Sequence, residues 1–198
     1  MKLPNFEKVS DIMREIAETE IRPRFKNLDN KEILYKEGGG VVTTADVESE
    51  RRLEKELTSL IPGSLFLGEE VATKNPGVYE FLTGEDPVWI VDPLDGTSNF
   101  TKGCPDYVVL VAFALQGIVR FGAILQPETQ ELVVAEEGGG TWLNDKPLIL
   151  EEDFKRTTKN FKGSLGRSLR NKCEIKKYFS SINRAGSCGI EYKKIVQG

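Results

Sequence analysis

The sequence predicts an α+β fold on three observations. Two stretches near the N-terminus repeat apolar residues at helical spacing, and a central block holds three β-rich runs separated by short turn signals. The chain has 198 residues, 39% apolar and 29% charged, enough to bury a core without disulfide or metal staples.

In chain order, the first element is an amphipathic helix from Phe6 to about Phe25, carried by Phe6, Val9, Ile12, Met13, Ile16 and Ala17 and stopped near Pro23. The KEGGG run at 36–40 breaks this pattern, and without the Gly-Lys-Ser/Thr ending of a P-loop it reads as a flexible connector. Thr43-Thr44-Ala45-Asp46 has the form of a capping box opening a second helix, with Val47, Leu53, Leu57 and Leu60 on its buried side and Pro62-Gly63 at its end. Ser64 to Leu67 is a short apolar strand leading into Gly68-Glu69-Glu70. YVVLVAFAL, IVRFGAILQ and ELVVAEE form an antiparallel meander, with Gln116-Gly117 and Pro127-Glu128-Thr129 between them and turns at Gly138 to Gly140 and Asn144-Asp145. Near Lys146 the chain becomes more basic and polar, which divides it into a domain at 1–145 and a partial subdomain at 146–198. A last helix covers Ser187 to Gln197, N-capped by Ser187, with Ile190, Ile195 and Val196 on its apolar side and Gly198 ending it.

Composition removes several chemistries. The chain has no histidine, which excludes Ser-His-Asp and Cys-His nucleophile systems, imidazole bases and histidine zinc sites. Hydrolysis must then run on carboxylates, hydroxyls and hard metals. The 31 acids and 27 bases are interspersed and give a net charge of −4, so nucleic acid is not an expected partner. The N-terminus lacks signal-peptide form and no run approaches a membrane span, so a cytoplasmic protein off the membrane is expected. Cys104, Cys173 and Cys188 are odd in number and lack CxxC spacing, and they read as reduced thiols, each a small buried hydrophobe.

The segment VWIVDPLDGTSNF at 88–100 carries the chemistry. Asp-Gly alone is a turn signal, but a tight hairpin needs its returning strand at once, and here the next strand begins near Tyr107. The alternative is that a buried strand delivers Asp92 to the end of a sheet while Pro93 and Gly96 force a tight turn that swings Asp95 beside it. At about 4 Å two like charges repel by roughly 1–4 kcal/mol in partly solvated surroundings, so the pair wants a proton or a cation. Oxygen ligands suit Mg2+, Ca2+ or Mn2+. The amides of Gly96 and Thr97, at a helix start, offer an anion site next to the acids.

Together with Gly68-Glu69-Glu70, the run WIVDPLDGTSNF resembles the inositol monophosphatase family of Mg2+-dependent, lithium-sensitive phosphatases. The resemblance extends through TTAD at 43–46, EEGGGTWLNDKPL at 136–148 and, more weakly, AGSCGIEYKKIVQG at 185–198. It implies a layered αβαβα sandwich with an incomplete C-terminal α/β subdomain. It also implies a phosphate monoester hydrolase, nominally converting inositol 1-phosphate to inositol and phosphate by two-metal activation of water. Under it, Glu69, Asp92 and the Leu94 carbonyl hold one Mg2+, and Asp92 and Asp95 contribute to a second, with two or three ions in all and Mn2+ or Ca2+ able to substitute in binding. Thr97, linked to Asp46, orients the attacking water beside Glu69, and Glu70 supports the ligands from behind. Gly96, Thr97 and Asp95 hold the substrate, Lys36 reaches the phosphate from a loop over the metals, and Ser187-Cys188 meets the substrate's ring or sugar.

Plainer readings stand beside these. Asp46 serves a helix cap as readily as a catalytic dyad, and Glu69-Glu70 taken alone is a solvated loop pair. The family's further motif, Trp-Asp-x-x-x-Gly, is absent, so the second metal lacks a third carboxylate and the chain as written is expected to hydrolyse phosphate esters poorly. A 3′(2′),5′-bisphosphate nucleotidase, a fructose-1,6-bisphosphatase and a non-catalytic metal- and anion-binding remnant remain alternatives. The resemblance also implies a small phosphorylated substrate as partner and a homodimer.

Overall fold

The computed structural model describes residues 3–36, 40–149, 162–164, 179–183 and 185–197. Helix α1 (Phe6–Ile16) starts on Asn5, whose side chain accepts the Lys8 N–H at 3.1 Å, and buries Val9, Met13 and Ile16. The predicted single helix changes character at Ala17, where a π turn to Ile21 and a tight turn at Arg22–Arg24 carry the chain past Pro23. Strands β1 (Ile33–Tyr35) and β2 (Val41–Thr43) then form a small antiparallel hairpin, closed by the Lys36 N–H on the Gly40 carbonyl at 2.7 Å. No strand pattern is readable there, because the two strands are three residues each and β1 is largely exposed. Residues 37–39 of the connector lie outside the described residues.

Helix α2 (Thr44–Leu60) opens on the expected capping box. Leu53 and Leu57 are fully buried, but Val47 is 37% exposed: the inward face is held instead by Ala45, Asp46, Ser49 and Glu50. Strand β3 (Leu65–Gly68) runs directly into helix α3 (Glu69–Lys74), so Glu69 and Glu70 begin a helix rather than a loop.

A seven-stranded sheet follows in the order β3-β4-β5-β6-β7-β8-β9, made of β4 (Val88–Asp95), β5 (Val108–Leu115), β6 (Ile118–Gln126), β7 (Glu131–Glu136), β8 (Gly140–Leu143) and β9 (Lys146–Pro147). β3 and β4 are parallel, and every later pairing is antiparallel, as the meander predicts. Alternation divides the faces. Trp89, Val91, Val109, Val111, Phe113, Phe121 and Leu125 join the core beneath α1 and α2. Val88 and Ile90 face the other way, toward Leu67, Ala72 and Val78.

The short helix α4 (Thr97–Phe100) follows β4, β10 (Lys162–Ser164) and β11 (Ser181–Asn183) pair in parallel as a separate sheet, and α5 (Cys188–Gln197) lies against β5 and β6. Ser187 caps α5 as predicted, its hydroxyl accepting the Ile190 N–H at 3.1 Å. Ile190 is buried but Ile195 is 70% exposed, and the inward position between them is Lys193, bonded to Gln126 and Glu131. A long amine can reach the polar end of the β6–β7 turn from there, which a branched side chain cannot. Cys188 is exposed and Cys104 half-buried, against the expectation of buried thiols, while Cys173 and Gly198 lie outside the described residues. Among the described residues no helix is long and apolar enough to cross a membrane.

Helix α5 can sit this close because of Gly189. A Cβ there would fall 2.3 Å from Val108 Cγ2 and 2.9 Å from Leu110 Cδ2. Overpacking of this kind costs about 1–3 kcal/mol, so Gly189→Ala is expected to lose stability in that range in urea with an unchanged m-value.

Candidate active site

The site forms where β4 ends. Asp92 pairs with Leu110 and Asp95 with Val108, so three steps along β4 pass only two along β5. Residues three apart on a regular strand face opposite sides, and this bulge restores both carboxylates to one face. Asp95 is thus delivered by the strand itself, beyond a bulge, and not by a turn that folds it back. Gly96 follows with φ 103°, a left-handed conformation in which an added Cβ would stand 3.0 Å from the Asp106 carbonyl. The shared face is the one on which α5 lies, opposite the α1/α2 core.

Asp92 feels this crowding most. Burial, then the negative charges of Glu69 and Asp95, push its carboxyl up to about 8; the Leu94 N–H, donating to Oδ1 at 3.1 Å, works against them, and a hydrogen bond to Glu69 adds to the rise. Glu69 and Glu70 share the Lys36 ammonium, at 2.8 and 2.7 Å. Burial opposes the charge on Lys36, but its two carboxylate bonds outweigh that and push it up to about 12. Asp95 turns toward α5, where its Oδ2 accepts from the Ser187 hydroxyl at 2.7 Å and the Gly189 N–H at 2.5 Å. Ser187 is buried, its hydroxyl shared between Asp95 and the start of α5. The neighbouring Cys188 thiol is pushed up to about 11, by burial first and then by the Asp95 charge, which leaves little thiolate at neutral pH.

A second group lies behind the first. Asp46 is fully buried; its Oδ2 accepts the Thr43 N–H at 2.7 Å and the Thr43 hydroxyl at 2.6 Å, and its Oδ1 accepts the Thr97 hydroxyl at 2.9 Å. One carboxylate therefore serves the helix cap and the link to Thr97 together. Burial raises its pKa to about 6 against the pull of those three bonds. The Leu94 carbonyl lies 3.0 Å from the Thr97 hydroxyl.

Glu69, Asp92, Leu94, Asp95, Gly96, Thr97, Asp46, Lys36, Ser187 and Cys188 thus surround one end of the sheet, though not as a finished ion cage. Among the described residues no three His, Cys, Asp or Glu side chains are grouped as a formed metal site. The reason is electrostatic: Lys36 draws Glu69 and Glu70 to itself, and α5 draws Asp95. The donor set nonetheless fits a hard divalent cation, since it is all oxygen and includes a carboxyl whose pKa burial, and then the neighbouring acids, push up. Sequence reasoning placed Thr43 in the helix cap, and missed Asn99 and Glu50. Asn99 donates to the Asp106 and Ala185 carbonyls, both at 2.7 Å, tying the loop before α5 to the loop after α4. Glu50 lies one helical turn beyond Asp46 on the inward face of α2, and a buried acid at that spacing is the signal that would have found it.

The inositol monophosphatase family model matches residues 5–198. An inositol-1-monophosphatase of Rhizobium meliloti is 39% identical over 126 residues, 63% of this chain and 44% of its own. A fructose-1,6-bisphosphatase/inositol-1-monophosphatase of Thermotoga maritima is 32% identical over 113 residues, 57% of this chain and 41% of its own. The chain thus spans less than half the length of these curated relatives. The Thermotoga maritima IMPase structure superposes with a TM-score of 0.81 at 25% identity, covering 98% of this chain and 72% of that one.

Asp92 also sets a pH dependence. Its carboxyl titrates near 8 when folded and near 3.8 when unfolded, so between those values the folded state retains a proton that the unfolded state has released. Stability contributed by this group is therefore full below the unfolded value and lost as pH rises toward the folded one. In a chelating buffer Asp92→Asn is expected to melt above the wild type, with a gap that widens between about pH 5 and about pH 8. Thermal melts at stepped pH measure it, and a gap that does not change with pH contradicts the assignment.

Proposed function

The chain belongs to the inositol monophosphatase family, and from that premise we propose that the end of β4 carries a Mg2+-dependent phosphomonoesterase site. The observation behind this reading is the convergence of Glu69, Asp92 and Asp95 at the end of β4, where burial and then the charges of Glu69 and Asp95 push the Asp92 carboxyl up to about 8. Glu69, Asp92 and the Leu94 carbonyl would hold one ion, and Asp92 and Asp95 would contribute to another. Such ions lower the pKa of water and stabilise a leaving oxygen.

The protein's own groups do the rest. The Thr97 hydroxyl has Asp46 and the Leu94 carbonyl as acceptors for its one proton, and donating it to the Asp46 carboxylate would leave its lone pairs to accept a hydrogen bond from the attacking water and orient it. Asp46, with its pKa near 6, is mainly ionised at neutral pH and suited to draw that proton onward. Gly96 and Thr97 offer backbone N–H groups to phosphate oxygens at a turn that only glycine fits. Lys36 would leave Glu69 and Glu70 for the phosphate as cations take over its role. Ser187 reaches the substrate indirectly, through Asp95.

The substrate we assign is a small phosphorylated alcohol, nominally inositol 1-phosphate, with Mn2+ or Ca2+ able to replace Mg2+ in binding. Cys104 and Cys188 are free thiols, which suits a cytoplasmic location. Calorimetric titration is expected to show Mg2+ binding by the wild type and loss of most of it in Asp95→Asn. Inorganic phosphate should raise the melting temperature only when Mg2+ is present. Phosphate release from inositol 1-phosphate should exceed that from fructose 1,6-bisphosphate and 3′-phosphoadenosine 5′-phosphate in the whole protein. Failure to bind any divalent cation overturns the reading.

A further inference from the structure

Glu50 is 4% exposed, yet it stands among acids. Burial, followed by the charges of Glu70 and Glu69, raises its pKa, and the backbone bonds it accepts oppose that rise. A buried carboxylate beside two others is costly unless something specific repays it. Here the Glu70 N–H donates to Oε2 at 2.8 Å and the Val71 N–H to Oε1 at 2.9 Å, so both oxygens are spent on the open end of α3. The contact is close on every side. A Cβ on Gly68 would fall 2.4 Å from the Glu50 carboxyl carbon and its Oε2, and 2.7 Å from the Phe66 ring. The arrangement therefore fixes the helical turn whose first residue is Glu69.

We propose that Glu50 is a positioning residue for the cation site: by capping α3 from α2 it sets the placement of Glu69 and Glu70, and the affinity for divalent ions depends on it without direct contact. This rests on the reading of the site given above. A direct ligand would keep an oxygen turned outward, whereas both of these face backbone amides of α3. The cap also joins the two halves of the site, because Asp46 and Glu50 lie on the same face of α2. One helix thus holds Thr97 through Asp46 and, through Glu50, the turn of α3 that Glu69 opens.

The test is Glu50→Gln in the 198-residue chain, which keeps the shape but turns one acceptor into a donor facing an N–H. Outer groups that orient ligands typically change metal affinity by about 10- to 100-fold, and a weakening of Mg2+ and Ca2+ binding in that range is expected by calorimetry. Because Glu50→Gln removes a buried charge and one cap bond together, the cation affinity, not the metal-free melting temperature, is the deciding readout. A purely structural Glu50 leaves the Mg2+ and Ca2+ affinity unchanged, and that result overturns the proposal. Hydrogen exchange at the Glu70 and Val71 amides provides the arm that needs no metal. If the wild type binds no cation, the site reading fails by itself, while faster exchange at those two amides in Glu50→Gln still supports the cap, and unchanged exchange refutes it.

Discussion

Between Asp92 and Asp95 the strand spends an extra residue, and most of the architecture around the site follows from that bulge. It places two carboxylates on one face at the end of a sheet whose other face is closed by α1 and α2, so neither can swing into the core. Like charges held this way must be compensated locally. Three kinds of compensation surround them: a proton on Asp92, the Lys36 ammonium on Glu69 and Glu70, and α5 hydrogen bonds on Asp95. A divalent cation bound among these acids would compete with each.

The core makes this crowding tolerable. Trp89 and Val91 are anchored under α2, and Trp89 packs against Phe113 on the next strand with ring centroids 4.7 Å apart. Phe100 and Tyr107, edge to face at 5.0 Å with Phe25 beside both, clamp the segment after Gly96. The backbone that carries Asp92, Asp95 and Thr97 is therefore held on both sides of the bulge by aromatic contacts, and burial together with the neighbouring acids raises a pKa rather than moving the strand.

Much of this was legible in the residues. The meander, the capping box at Thr43–Asp46 and the strand into Asp92 each announce themselves through local pattern, and local pattern is what periodicity reads. Other features depend on tertiary partners. Val47 has the right spacing to be buried, but the inward face of α2 is turned so that Ser49 and Glu50 are buried instead. Ile195 looks like a core residue and is exposed, while Lys193 looks exposed and is buried, because its amine finds Gln126 and Glu131 across the sheet. The bulge itself is invisible in sequence. A run such as Asp-Pro-Leu-Asp is compatible with a turn or an extra strand residue, and only the register against Val108 and Leu110 decides between them.

Glu50 and Asp95 each accept backbone bonds at the start of a helix other than their own element, and comparing them separates support from function. Glu50 gives both oxygens to α3, one to each amide, and is sealed beneath Gly68. Asp95 receives its two donors, Ser187 and Gly189, on the single atom Oδ2, so neither bond uses Oδ1. An acid whose two oxygens both face the amides of a buried helix start positions its neighbours, whereas one held through a single oxygen is oriented and keeps the other for coordination. The difference follows from the donors each helix presents: α3 offers two successive amides that span a carboxylate, and α5 offers an amide and a hydroxyl that meet at one point.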